Sequence, residues 1–195
     1  SDGIRIQSAN NVIGGVTAQT RNIIAGSDEG IRLHDATATG NIIRGNLLGV
    51  SRDQTTTLGF DDDGIDIGSS AAANTIGGTG VNEGNVIAGA QDAGIETRNN
   101  SGAGNVFLRN SIYLNGGIAI DVNANGSSGN FPVLTSASSG GGITTIGGTL
   151  SGAANTTYRV EFFSSGPTFA DSHGEARVYL GHADITTNAA GSGVI

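Results

Sequence analysis

The sequence predicts an all-β protein: a parallel β solenoid of about five coils over residues 1–130, then a small antiparallel β-sandwich-like region over 131–195. Three observations predict it. Short apolar motifs recur at separations suited to stacked coils. Although 34 Gly and few charges could mean disorder, hydrophobic residues make up 36%, many of them Ile and Val in recurring short runs, which argues for an ordered β fold. After residue 130 the short motifs give way to longer alternating runs, the mark of strands with one buried and one wet face.

The repeats define the first region. Asn11-Val12-Ile13-Gly14-Gly15 leads, eleven residues after Asn11, to Asn22-Ile23-Ile24-Ala25-Gly26. Asn74-Thr75-Ile76-Gly77-Gly78 leads by the same step to Asn85-Val86-Ile87-Ala88-Gly89, 63 residues further on. A second motif runs Gly-Ile-x-Ile or Leu. It appears as Gly3-Ile4-Arg5-Ile6, Gly30-Ile31-Arg32-Leu33, Gly64-Ile65-Asp66-Ile67 and Gly117-Ile118-Ala119-Ile120, with Gly94-Ile95-Glu96-Thr97 as a variant. A third places Asn before an apolar pair: Asn41-Ile42-Ile43, Asn46-Leu47-Leu48 and Asn105-Val106-Phe107, with Asn110-Ser111-Ile112 as a weaker copy.

Each unit therefore reads as three very short strands separated by turns. One such unit has no core. Stacking the units lets each strand pair in parallel with its equivalent one coil away, ~4.8 Å along the axis, with Ile, Leu and Val inside. The recurrent Asn is expected to take the left-handed conformation of sharp corners and to hydrogen-bond along its column. Two inserts interrupt the rhythm, Val50 to Asp63 and Thr79 to Gly84. Such inserts map to loops on one side of a solenoid, often the binding side.

These motifs resemble the right-handed parallel β-helix repeat proteins, the superfamily that also contains pectate lyases and pectinases. The Asn-x-Ile-Gly-Gly and Asn-Ile-Ile-x-Gly variants resemble repeats of bacterial secreted or surface proteins. The resemblance covers Asp2 to about Asn130. It implies a fold and not an activity, because functions sit in sites grafted onto folds.

The second region opens with Phe131-Pro132-Val133-Leu134 as an exit segment and a Ser/Gly stretch from Ser136 to Gly142. Strands are predicted over Ile143 to Leu150, Tyr158 to Phe163 and Ala176 to Ile185. Three or four strands fall short of a complete sandwich. The open sheet edge is expected to need a cap from further sequence, the helix end or a partner chain.

Composition narrows the partners. Net charge is −8 and all 9 basic residues are Arg. Without a basic cluster, the chain is a poor binder of nucleic acid or anionic membranes. Absence of Cys excludes disulfides and thiolate metal sites. The lack of Cys together with much Gly, Asn, Ser and Thr resembles bacterial secreted and surface proteins and suggests an extracellular or cell-surface location. No apolar run approaches the ~20 residues of a membrane helix, so no membrane insertion is expected, and no signal peptide is seen. The chain opens inside a repeat at Ser1-Asp2-Gly3-Ile4 and closes at Gly193-Val194-Ile195 inside a predicted strand, as a piece of something longer would.

The variable position of Gly-Ile-x-Ile is expected to face outward. Stacking the copies puts Arg5, Arg32, Asp66, Glu96 and Ala119 in one column, and Gln7, His34, Gly68, Arg98 and Asp121 in the next. The resulting stripe of Arg32, His34, Asp66, Glu96, Arg98 and Asp121 is the candidate ligand-binding face, and polysaccharide its candidate ligand. If the protein were an enzyme, Asp66 and Glu96 would be the paired carboxylates of glycoside chemistry. Arg32 and Arg98 would engage uronate carboxylates. A ladder of compensating charges explains the same residues more simply. The stripe lacks aromatic platforms, and no pectate-lyase calcium motif can be matched onto it residue by residue.

Asp61, Asp62 and Asp63 are the best calcium candidates, since hard cations want several carboxylate oxygens, although a solvated acidic loop explains them as well. No other cofactor is implied. His34, His173 and His182 form no metal motif and are expected at the surface. No Gly-x-Ser-x-Gly elbow supports a Ser-His-Asp arrangement. The function expected is that of a non-catalytic extracellular structural or adhesive protein that self-assembles into a filament or surface layer through coil ends or sheet edges. The rivals are a polysaccharide lyase or hydrolase and a carbohydrate-binding module.

Overall fold

A computed structural model describes residues 1–98, 100–122, 132–165 and 175–195. Among these the chain is all-β, with no helix. It forms two compact units: residues 1–127 with 163–179, and residues 128–162 with 180–195.

The first unit is a parallel β-helix of four coils and the start of a fifth. Coil one carries β1 (Ile4–Ile6), β2 (Val12–Gly14) and β3 (Ile23–Ile24). Coil two carries β4 (Ile31–His34), β5 (Ile42–Arg44) and β6 (Leu47–Leu48). Coil three carries β7 (Ile65–Gly68), β8 (Thr75–Gly77) and β9 (Val86–Ala88). Coil four carries β10 (Ile95–Thr97), β11 (Val106–Leu108) and β12 (Ser111–Tyr113), and β13 (Ile120–Val122) opens the fifth. Equivalent strands stack into three parallel sheets, β1-β4-β7-β10-β13, β2-β5-β8-β11 and β3-β6-β9-β12.

The register places like on like. Ile4, Ile31, Ile65 and Ile95 form one file, and the last three have no solvent exposure. Ile13, Ile43, Ile76 and Phe107 form a second. Ile24, Leu48, Ile87 and Ile112 form a third. The three files meet in one continuous core. The hydrophobic effect stabilises the stack as a whole, because each side chain is covered only by the coils above and below it.

Two asparagine ladders tie the coils together. The backbone N–H of Asn11 donates to Asn41 Oδ1 (2.9 Å), and so does its Nδ2 (2.8 Å). Asn41 reaches Asn74 in the same way, and Asn74 reaches Asn105. The second ladder runs Asn22, Asn46, Asn85, Asn110 with the same paired bonds. The spare Nδ2 protons of Asn46, Asn74, Asn85 and Asn110 go to backbone carbonyls.

The ladder asparagines do not make the corners, contrary to expectation. The residue before them takes the left-handed conformation: Asn10 (φ 59°), Gly40 (65°), Ala73 (53°) and Gly104 (80°) in the first column. The reason is steric and electronic at once: the Asn backbone N–H must stay aligned with the axis to reach the next amide, so the bend falls one residue earlier.

The long insert departs from its expected role only at its ends. Its middle, residues 52–58, is exposed as a surface loop would be, while both of its ends are packed into the β-helix. Val50 packs with Leu47, Ala88 and Tyr113, and Phe60 enters the main core. Residues 175–177 cover the free edge of β12. Ile112 N–H donates to the Ala176 carbonyl (2.9 Å), and Ser111 Oγ donates to that of Arg177 (2.6 Å). Glu175 receives the N–H groups of Leu114 (2.5 Å) and Asn115 (2.9 Å) and the Asn115 amide (3.1 Å). The Arg177 guanidinium lies 4.7 Å over the Tyr113 ring.

In the remaining chain β14 (Pro132–Gly140), β15 (Ile143–Ser151) and β18 (Ser192–Val194) form an antiparallel sheet. The Ser/Gly stretch is thus the second half of β14 and the turn that follows it. Gly141 (φ 60°) and Gly142 (φ 80°) close the hairpin, since a two-residue turn of this twist requires positive φ at both positions. β16 (Thr157–Ser164) and β17 (Val178–Thr186) form a two-stranded sheet. Leu150, Val160 and Thr187 are buried there, whereas every residue of β14 is exposed.

The ladders make a graded prediction. Asn85→Ala strips partners from the Asn46 N–H, the Asn46 amide and the Ile43 carbonyl, all inside the stack. It should cost about 3 kcal/mol or more by the unmet-polar-group rule. Asn22→Ala, on the outermost rung, removes one side-chain bond and should cost about 1 kcal/mol or less. Equilibrium denaturation of both variants checks the order.

Candidate functional site

The candidate site lies on the outer side of the first sheet, at the turn that leads into it. The backbone pairs Arg5 with Arg32, Arg32 with Asp66, Asp66 with Glu96 and Glu96 with Asp121. Asp121 therefore stands in the first column, where Ala119 was expected. Ile120 pairs with Ile95, a shift of two residues from the register expected for the last coil. A shift of two keeps the same faces in and out, so alternation alone cannot distinguish the registers. Ala119 takes the place of the motif glycine, accepting from the Ile95 N–H as Gly94 accepts from that of Ile65.

The column is charged but not open. Asp66 has no solvent exposure and Glu96 only 8%. Two arginines lie across them. Arg98 Nε donates to Asp66 Oδ1 at 2.8 Å, and Arg32 Nε sits 3.1 Å from Asp66 Oδ2. Arg32 Nη1 also pairs with Glu29 (2.9 Å) and reaches Asp2 (3.8 Å). Arg98 approaches Glu96 (3.6 Å) and Asp63 (3.9 Å). Long arginine stems spread over a sheet face exclude water from the shorter acids beneath them.

Asp63 enters this group from the turn before β7. It has no solvent exposure, and its Oδ1 accepts the Ala93 N–H at 3.0 Å. Carboxylate oxygens of Asp63, Asp66 and Glu96 lie within 4.8 Å of one another. Burial, followed by the hydrogen bond and charge of Glu96, pushes the Asp63 carboxyl up to about 8. It is therefore protonated at neutral pH, with Glu96 beside it. Asp66 is held between the guanidiniums of Arg32 and Arg98. Contact with Asp66 leads the causes that raise the Arg98 pKa.

The structure scatters the proposed calcium run. Asp61 is exposed, with Gln91 Nε2 at 3.4 Å. Asp62 and Asp63 instead converge with Asp92 of the next coil. His34 is half-buried and stacks beside Gly68, with Nδ1 2.9 Å from Ser69 Oγ. Burial and then Arg32 lower its pKa, so it is neutral. His182 is exposed, and His173 lies outside the described residues.

Asp63 and Glu29 were not assigned to the stripe by sequence reasoning. The signal was present, because both stand directly before the motif glycine, in Glu29-Gly30-Ile31 and Asp63-Gly64-Ile65. A shallow hollow of about 310 Å³ on this unit is lined by Thr97, Ser101, Asn105, Phe107 and Val122 among others, and by none of the stripe's acids. No protein-family model and no curated protein matches the chain. Fold and site together define a parallel β-helix with a covered ladder of ion pairs.

The Asp63 shift carries a pH dependence with a definite sign. Its folded pKa lies above the unfolded value of 3.8, so the fold binds the proton more tightly. The associated stability is complete below about pH 4 and is lost as pH rises to about 8. In chelator-treated protein, the melting temperature of wild type should fall relative to Asp63→Asn across this interval. Parallel melting curves from pH 5 to pH 9 check it.

Proposed function

We propose that the protein is a non-catalytic structural or adhesive module of an extracellular or cell-surface protein, with the β-helix as a stiff spacer. One observation carries this reading: the acids and arginines suited to polysaccharide chemistry are consumed by one another. Asp63 and Asp66 are inaccessible, and Arg32 and Arg98 are engaged with them. A substrate cannot meet a carboxylate that water does not reach.

The ends and edges of the fold are the parts suited to contacts. Among the described residues β1, β2 and β3 each have a neighbour on one side only, and such strands present unpaired backbone groups. In the second unit Val133, Leu134, Ile143 and Val194 are between 52% and 78% exposed. Edge pairing and these apolar residues support self-association into a filament or layer.

A specific feature favours the second reading, a carbohydrate-active enzyme: Asp63 is a protonated carboxyl beside Glu96, the pattern of an acid paired with a base. It requires the arginines to swing away.

Wild-type protein incubated with a panel of neutral and acidic polysaccharides should release no reducing ends and no unsaturated uronates. Turnover that disappears in Asp66→Asn or Glu96→Gln would replace this reading with the enzymatic one. Sedimentation should show particle mass rising with concentration, and a strict monomer at high concentration would remove the assembly.

A further inference from the structure

The geometry points to a calcium site whose ligands are the carboxylates of Asp63, Asp66 and Glu96. Three independent features lead there. First, the spacing fits: two oxygens that share one Ca²⁺ at ~2.4 Å lie at most ~4.8 Å apart, and one oxygen of each of the three acids lies within that distance of the others. Second, Asp63 Oδ2 and Asp66 Oδ2 are fully buried and make no hydrogen bond, although Arg32 Nε stands 3.1 Å from the latter. A buried carboxylate oxygen with no donor is costly, and a cation supplies what the donors do not.

Third, the charges do not balance. The ion-paired network contains the carboxylates of Asp2, Glu29, Asp63, Asp66 and Glu96, against the guanidiniums of Arg5, Arg32 and Arg98. Once Asp63 gives up its proton to the entering cation, five acids against three bases leave two negative charges, before Asp62 and Asp121 at the margins are counted. One divalent cation neutralises that excess.

The all-oxygen donor set selects a hard cation, and its burial selects Ca²⁺ over Mg²⁺. Ca²⁺ tolerates irregular shells, and with Asp63 Oδ1 and Asp66 Oδ1 already engaged the three acids offer it up to four oxygens. Mg²⁺ holds several waters and an octahedral shell, for which a covered site has no room. Asp66 Oδ1 stays with Arg98 and turns Oδ2 toward the ion. The group of Asp62, Asp63 and Asp92 shares Asp63 but is more open, because both Asp62 and Asp92 remain within reach of water.

The experiment uses the whole chain after treatment with chelator. Calorimetric titration with CaCl₂ should show one site per chain. The melting temperature should rise by about 5 °C or more at a hundredfold excess over Kd, with a smaller rise in MgCl₂. Asp63→Asn, which keeps an oxygen for the Ala93 N–H, and Glu96→Gln should each weaken Ca²⁺ binding about tenfold or more. Asp92→Asn should bind as wild type does. The assignment falls if wild type gives neither heat nor thermal shift in millimolar CaCl₂. It also falls if Asp63→Asn, shown folded by circular dichroism, binds Ca²⁺ as tightly as wild type, or if Asp92→Asn alone abolishes binding.

Discussion

Each coil is held to the next by one repeated device: an asparagine whose backbone N–H and side-chain amide both reach the Oδ1 of the asparagine one coil along. Two bonds converge on one oxygen, and the other amide proton returns to a carbonyl of the preceding coil. A coil displaced by one residue along its strand would lose these bonds and turn its isoleucines outward together. The ladder thus fixes the register, and the register builds the core. A polar interaction locates the apolar one, although the apolar burial supplies most of the stabilisation.

Exact stacking has a cost wherever the repeated residue is charged. Amides stack favourably because each offers both donors and an acceptor, but carboxylates offer only acceptors. The outer column of the first sheet meets this problem at Asp66 and Glu96, which are direct neighbours. Arg32 from the coil below and Arg98 from the coil of Glu96 cover both acids. The turn before the sheet adds Glu29 and Asp63, so the local balance remains acidic. The protonation of Asp63 and the inferred ion are two responses to the same crowding, since each removes negative charge from a place where water cannot screen it.

The last described coil shows how the ladder ends. A third, shorter column begins at Ala90, whose N–H donates to Asn115 Oδ1. Where a further asparagine would follow, Glu175 stands instead and receives both the N–H and the amide of Asn115. A carboxylate can accept these bonds but has no donor to pass on, so it terminates the column chemically as well as spatially. With residues 176 and 177 against β12, this segment closes one edge that stacking leaves open.

The spacing of Gly-Ile-x-Ile and Asn-x-Ile was enough to determine the three short strands per coil, the inward files through Ile31, Ile65 and Ile95, and the asparagine columns. Each of these is a local pattern repeated, and repetition is visible along a chain. The Gly141-Gly142 turn and the Ser/Gly-rich strand before it were read only as one Ser/Gly stretch, because that strand carries no alternation to announce itself. Only the tertiary structure decided that Asp121 and not Ala119 follows Glu96, because a two-residue slip leaves every face unchanged. It alone decided that the charged column is covered, that Asp63 joins it from a turn, and that Glu175 returns from 60 residues away to meet Asn115. Burial and charge balance are properties of several coils at once, and no single repeat contains them.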